Sequence, residues 1–391
     1  MSDDSVMIVA AEASSSAFAV RLLESWKRTR PDIQAFGVGS SEMESLGFER
    51  LGKSEEMAVV GAAEIITHYK HLKAVFNRLV EEAATRRPRV VVVMDYPEFN
   101  LMLSKKLHRL GIPVVYYISP QIWAWRQGRV KTIQRYCKKV FLLFPFEKKF
   151  YDRHQVTSEF VGHPVLDELD PALYDEARRL ENRRRCGIED KDIVLGLMPG
   201  SRRLELKQHF AIQLEVARIL MKKHSQVKLL ILCAPSFSRE DLLPYLEDFG
   251  FPYIIQKDDP LRMINLTDLV LVASGTATLM VGLLRKPMVI MYKMKWLTGW
   301  IARILVRGTK FFGLVNLILD REVVPERWQA QASPSILAHE LDRYLVDPGY
   351  RQQVIQDLSK LPQYLGEKGA TDRVVKSLEE FFVEKQPESK S

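Results

Sequence analysis

Cysteine is scarce: Cys137, Cys186 and Cys233 are the only three in 391 residues, widely spaced and odd in number. A disulfide framework is thereby excluded, and so is a structural zinc, because no metal-ligand spacing occurs. No stretch reaches the roughly 18 uninterrupted apolar residues of a spanning helix. The opening M-S-D-D-S-V-M-I-V-A lacks the basic and apolar regions of a signal peptide, so the expected location is the cytoplasm. No G-x-G-x-x-G, zincin or G-x-S-x-G pattern points to a dinucleotide, a catalytic metal or a serine nucleophile.

What is present is a chain 47% hydrophobic and long enough for two domains. Its net charge of +8 favours anionic partners, which include phosphorylated substrates and acidic membrane surfaces. Between Met291 and Leu319, Lys293, Lys295, Arg303, Arg307 and Lys310 alternate with Trp296, Trp300, Phe311 and Phe312. Such a mixture suits an interfacial segment, and equally a core helix with a solvated basic face.

Short β-branched runs alternate with amphipathic stretches, which predicts an α/β fold with parallel sheets built from βαβ units. The first series has strands at Val6–Ala10, Ile33–Val38, Val90–Met94, Val114–Ile118, Val140–Phe144 and Glu159–Val161. A charged connector, Pro171–Arg185, precedes a second series at Ile193–Met198, Val227–Cys233, Tyr253–Ile255, Leu269–Val272 and Met288–Tyr292. Helices are expected between the strands, one of them over Arg239–Phe249. The expected domains are 1–170 and 171–345, two Rossmann-like halves with a cleft between them. Helices over 346–391 are expected to pack back on the first half.

Ligands of open α/β sheets collect at carboxyl ends of strands, and four such places carry chemistry. Ser119–Arg126, S-P-Q-I-W-A-W-R, follows a buried strand and sets Trp123 and Trp125 beside Arg126, which suits a sugar ring or an acyl chain. Glu12 and Asp95 stand at strand ends, where one-sided desolvation makes a carboxylate a usable base. In L-M-P-G-S-R-R, Gly200 and Ser201 offer backbone N–H groups and Arg202 a cationic fork for a phosphate. Ser274, Gly275 and Thr276 are expected to cap the helix from Ala277 and form a second anion cradle.

The order of motifs resembles the lipid-A-disaccharide synthase family over nearly the whole chain. The resemblance is carried by E-x-S at Glu12, V-x-G at 59–61, D-x-P-x-F-N from Asp95 to Asn100 and Y-I-S-P-x-x-W-A-W-R from Tyr117 to Arg126. It continues through L-x-P-F-E-x-x-F-Y (Leu143–Tyr151), F-V-G-H-P (Phe160–Pro164), L-M-P-G-S-R (Leu197–Arg202), A-S-G-T-A-T-L (Ala273–Leu279) and V-N-L (Val315–Leu317).

The resemblance implies a GT-B glycosyltransferase fold, with the acceptor in the first domain and the nucleotide sugar in the second. The implied reaction joins UDP-2,3-diacylglucosamine to the 6-hydroxyl of 2,3-diacylglucosamine 1-phosphate through a β-1′,6 linkage, releasing UDP by inversion. No metal, cofactor or nucleic acid is implied. Asp95 would be the base and Glu12 would position a sugar. Gly200, Ser201, Arg202, Ser274, Gly275, Thr276, Asn316 and Gln329 fall on the donor side. Ser14, Asn100, Ser119, Trp123, Trp125, Arg126 and His163 fall on the acceptor side. The family's place is the cytoplasmic face of the inner membrane, with a homodimer open. The chain departs from the pattern at Ala11, Ala13, Ser15 and Ser16 around Glu12, at Glu98, and at Met280, where the family carries a glutamate. These departures leave an alternative, a diverged member with another donor or a non-catalytic role at the membrane.

Overall fold

The computed structural model describes residues 4–11, 13–57, 65–120, 122–123, 126–293 and 311–383. Glu12, Trp125, the V-x-G at 59–61 and the 294–310 part of the basic aromatic stretch lie outside these described residues.

The chain forms two compact units, Met1–Asp167 with Leu365–Ser391, and Glu168–Tyr364. In the first, strands β1 (Ser5–Ala10), β2 (Gln34–Gly39), β3 (Glu49–Lys53), β4 (Val90–Met94), β5 (Val114–Tyr117), β6 (Lys139–Leu142) and β7 (Ser158–Phe160) form one sheet. Its order is β3-β2-β1-β4-β5-β6-β7, and every pairing is parallel. The central β1 and β4 are buried at every position. A parallel strand covered on both faces needs an unbroken apolar run, and V-V-V-V-M supplies one. The order reverses between β1 and β4, and the crevice at such a switch point receives ligands.

The second unit repeats the plan. Its strands are β8 (Ile193–Met198), β9 (Val227–Leu232), β10 (Tyr253–Gln256), β11 (Leu269–Ala273), β12 (Met288–Tyr292) and β13 (Glu326–Trp328). They lie in the order β10-β9-β8-β11-β12-β13, again all parallel. The switch point here falls between β8 and β11.

Several expectations need correction. The short edge strands β3 and β13 have no counterpart in the sequence reading, because E-R-L-G-K and E-R-W carry charge where an apolar alternation was sought. Gly47–Ser54 also spells the phosphate-loop pattern G-x-x-x-x-G-K-S, but its middle is β3, paired to β2 from Phe36↔Glu49 to Gly39↔Lys53. It is a strand and no phosphate loop. The helix expected over Arg239–Phe249 is reduced to one 3-10 turn, Leu243–Tyr245, since Pro244 cannot donate in a helix interior.

The C-terminal stretch also divides differently. The helix Pro348–Leu358 stays with the second unit, where Val354, Leu358 and Leu361 are buried and Leu361 lies against Gly282. Only from Leu365 does the chain return to the first unit. There the helix Ala370–Leu378 meets the helix Ala13–Thr29 through Ser25 to Asp372, while Arg30 pairs with Glu379 at 2.7 Å and Trp26 packs edge-on to Phe382. Among the described residues, no helix is long and apolar enough to cross a membrane.

Candidate functional site

In the first unit the site starts where β4 ends. Asp95 and Tyr96 are both left-handed, with φ of 47° and 44°, before Pro97 opens the helix Pro97–Arg109. Two such residues cost about 1–3 kcal/mol each, so the surroundings must hold them. Asn100 does most of this: wholly buried, its Nδ2 donates to Met94 O at 2.9 Å and Asp95 O at 2.6 Å. The Tyr116 hydroxyl donates to Asp95 O at 2.5 Å, and Asp95 N donates to Ile118 O at 3.2 Å. Burial, with Asp95 next, pushes the Tyr116 hydroxyl well above its usual range, so it remains a donor. The result is a half-buried carboxylate on a turn fixed from three sides.

The loop after β5 is anchored in the same way. Ser119 Oγ bonds the Tyr151 hydroxyl, and Trp123 Nε1 donates to Glu147 Oε1 at 3.1 Å. Trp123 is half-buried and packs edge-on to Phe146 at 5.0 Å. Arg126 is exposed and left-handed, and it pairs with Glu98 at 2.5 Å; Arg129 reaches the same carboxylate. Glu98 thus ties the Asp95 turn's helix to the Trp loop.

Glu147 stands in the L-x-P-F-E-x-x-F-Y motif but carries no role in the sequence reading, although P-F-E at a helix start is a capping signal. Its other oxygen accepts from Phe144 N at 3.1 Å, and burial raises its carboxyl to about 7. His163 is buried between Phe18 and Phe144, and its Nδ1 accepts from Val165 N at 3.1 Å. Burial, then Arg21, lowers it to about 3, so it is a neutral packing ring. Ser14 lies in the helix after β1, with its side chain outside the described residues.

In the second unit the turn after β8 differs from an open phosphate cradle. Gly200 sits at φ 115°, and a Cβ there would lie 2.4 Å from Glu205 Oε2. That same oxygen accepts from Ser201 N at 3.0 Å and Arg202 N at 3.3 Å. The chain's own carboxylate therefore stands where an anion was expected. Arg202 is mostly exposed, with its guanidinium 3.7 Å from Glu205 Oε1.

The second turn also departs from expectation. No side chain caps the helix Ala277–Leu283; Ser274 Oγ donates to Phe312 O at 3.3 Å, and Gly275 and Thr276 are exposed. Asn316 is wholly buried and its amide is engaged within its own loop. Nδ2 donates to Val324 O and Glu326 Oε1, and Oδ1 accepts from Val323 N and Val324 N, all within 2.7–3.0 Å. It shapes the loop and does not reach out of it. Gln329, left-handed at φ 52°, buries Nε2 without a partner among the described residues.

Among the described residues no cluster of three or more His, Cys, Asp or Glu could hold a metal. The sequence does spell one D-x-D, Asp190–Asp192, but it precedes β8, at the end of the sheet away from the turns after β8 and β11. Asp190 pairs there with Arg184, and Asp192 accepts from Glu189 N.

Two all-parallel sheets, with a fixed carboxylate after β4 and an Arg-bearing glycine turn after β8, define an α/β protein of the GT-B class. Solved structures agree at the level of fold. Anabaena HepE in complex with UDP and glucose matches at TM-score 0.58 and 12% identity, covering 96% of this chain and 98% of that one. The UDP-GlcNAc 2-epimerase of Neisseria meningitidis, bound to UDP-GlcNAc, matches at 0.59 and 10%, covering 96% and 99%.

The chain belongs to the lipid-A-disaccharide synthetase family, which it matches over residues 6–374. Lipid-A-disaccharide synthase of Anaeromyxobacter dehalogenans is 38% identical over 376 residues, 96% of this chain and 97% of that protein. The enzyme of the same name from Myxococcus xanthus is 34% identical over 377 residues, with the same coverage.

Proposed function

We propose that this protein is a lipid-A-disaccharide synthase, a metal-independent inverting glycosyltransferase. It moves the diacylglucosamine of UDP-2,3-diacylglucosamine to the 6-hydroxyl of 2,3-diacylglucosamine 1-phosphate. Family membership along nearly the full chain supports the substrate pair, and the observation that carries the chemistry is the immobilised Asp95 turn. The Asp95 carboxylate takes the proton of the acceptor 6-hydroxyl as that oxygen forms its bond to the donor's anomeric carbon. The bond from that carbon to the diphosphate breaks on the opposite face, and UDP leaves with the electron pair. Arg202 faces the charge that develops on the leaving diphosphate.

In this reading Trp123, Trp125 and Arg126 shape the acceptor side, with Glu12, Ser14 and Ser119 near the sugar. Ser274 to Thr276 and Gln329 line the donor side. The basic and aromatic residues of the 291–319 stretch that follow β12 and precede the largely buried helix Leu314–Leu319 meet the cytoplasmic face of the inner membrane, where both acylated substrates reside. The test is to incubate the purified protein with both substrates, with and without a chelator, and to look for disaccharide and UDP. Turnover should survive the chelator and should vanish in Asp95→Asn with the fold intact. A near-normal rate in that variant refutes the base assignment.

A further inference from the structure

Glu205, His209 and Gln213 recur at four-residue spacing on the helix Arg203–Lys223, which puts all three in one stripe along its length. His209 and Gln213 have no exposed surface; both ring nitrogens of His209 are paired, whereas Gln213 is paired, among the described residues, through Nε2 alone. Each residue of the stripe bonds to backbone at the carboxyl end of the sheet. Glu205 takes the Ser201 and Arg202 N–H groups, and Gln213 Nε2 donates to Met198 O at 3.2 Å and Leu271 O at 3.4 Å.

His209 stands between them and reaches furthest. Its Nδ1 lies 3.0 Å from Pro199 O; its Nε2 lies 3.1 Å from Lys293 N and 3.0 Å from Lys293 O. With its proton on Nδ1, the ring donates to Pro199 and accepts from the Lys293 N–H. Pro199 is the residue before the Gly200–Arg202 turn, and Lys293 follows the last residue of β12. Because β11 lies between β8 and β12, one side chain joins the loops of two strands that are not neighbours in the sheet. A leucine would fill the same volume and make neither bond.

We propose that His209 is a positioning residue that holds the Pro199–Arg202 turn against the end of β12 and thereby sets the affinity for the nucleoside diphosphate of the donor. It touches no ligand and acts through the turn. This inference rests on the reading that the turn receives the donor diphosphate.

The test uses the full chain, with UDP as the probe in calorimetric titrations and with donor and acceptor KM measured separately. Three variants divide the two bonds: His209→Leu loses both, His209→Asn places an amide where Nδ1 was and keeps Pro199, and His209→Gln places one where Nε2 was and keeps Lys293. Loss of both bonds should weaken UDP and raise donor KM by about ten-fold or more, with acceptor KM changed less than about two-fold. Asn or Gln should recover part of the loss. A folded His209→Leu that binds UDP as the wild type does overturns the inference while leaving the donor site in place. Equal losses in all three variants, with acceptor KM rising by a similar factor and the thermal midpoint falling, overturn it as well, because the role is then only structural. Failure of the wild-type protein to bind UDP overturns the donor-site reading and the inference with it.

Discussion

Trp123 Nε1 donates to Glu147 Oε1 at 3.1 Å, while Glu147 Oε2 accepts from the Phe144 N–H. One carboxyl group therefore fixes both the indole of the loop after β5 and the start of the helix Pro145–Arg153. Burial raises this group to about 7, and Tyr151 is the titratable neighbour that faces it. As pH falls through 7 the carboxyl gains a proton, one oxygen ceases to accept freely, and the hold on Trp123 weakens. Tryptophan emission should then change with a midpoint near 7. The change should be absent in Glu147→Gln; an identical titration in that variant would assign it elsewhere.

Stability should respond to pH through two buried groups of opposite sign. His163 is lowered from 6.5 to about 3, so the unfolded chain binds more protons between these values and stability rises with pH across that window. Glu147 is raised from 4.5 to about 7, so the folded chain binds more protons there and its contribution is lost as pH rises through the window. Replacing His163 with Asn keeps an acceptor for the Val165 N–H and removes the acid sensitivity. Calorimetry should find a smaller drop in melting temperature from pH 7 to pH 5 in His163→Asn than in the wild type.

The Asp95 turn should be separable from the Asp95 carboxylate. Asn100→Ala removes donors to Met94 O and Asp95 O and leaves two left-handed residues without their main support. Losing both bonds, with the Tyr116 hydroxyl still donating to Asp95 O, costs about 1–3 kcal/mol, so urea unfolding should shift by that amount. Tyr116→Phe deletes the third bond, to Asp95 O, at a cost of about 1 kcal/mol. In both variants kcat should fall more than either KM rises, since the base proposed above is misplaced while the substrate surfaces remain. A kcat unchanged in Asn100→Ala would show that the turn holds itself.

Asp268 governs the second unit's base. Its carboxylate receives Arg179 at 2.5 Å, Arg183 at 3.0 Å and Val194 N at 2.7 Å, and Arg183 is almost wholly buried. Lys286 lies in the same cluster and is lowered to about 7 by burial, then by Arg179. Asp268→Ala strands these cations, and breaking a buried pair this way costs about 3–5 kcal/mol. UDP binding should weaken only where the unit unfolds, which denaturation followed with and without UDP will separate.

Much of this was legible in the sequence because central parallel strands announce themselves: V-V-V-V-M could be little else, and the turns after β4, β5, β8 and β11 follow from it. What stayed hidden was set by tertiary contact. The three residues of β13 read as a strand only beside β12, and the fit of Glu205 into the Gly200 turn needs the helix folded back on its own start. The resemblance alone put Asn316 on the donor side, and nothing in the sequence shows that its amide is spent on Val323, Val324 and Glu326. Glu147 and His209 were passed over because their partners are a ring nitrogen and backbone atoms, neither of which leaves a spacing to find.

The return of the chain at Leu365 has a consequence for how the molecule is made. The first unit is interrupted after Asp167, and its closing helix, Ala370–Leu378, comes only after the whole second unit has been synthesised. Until then Trp26 lacks the Phe382 ring, and Ser25, Arg28 and Arg30 lack Asp372 and Glu379. On the ribosome the second unit can be complete while the first still has an open flank, so the unit that begins the chain is the last to be finished.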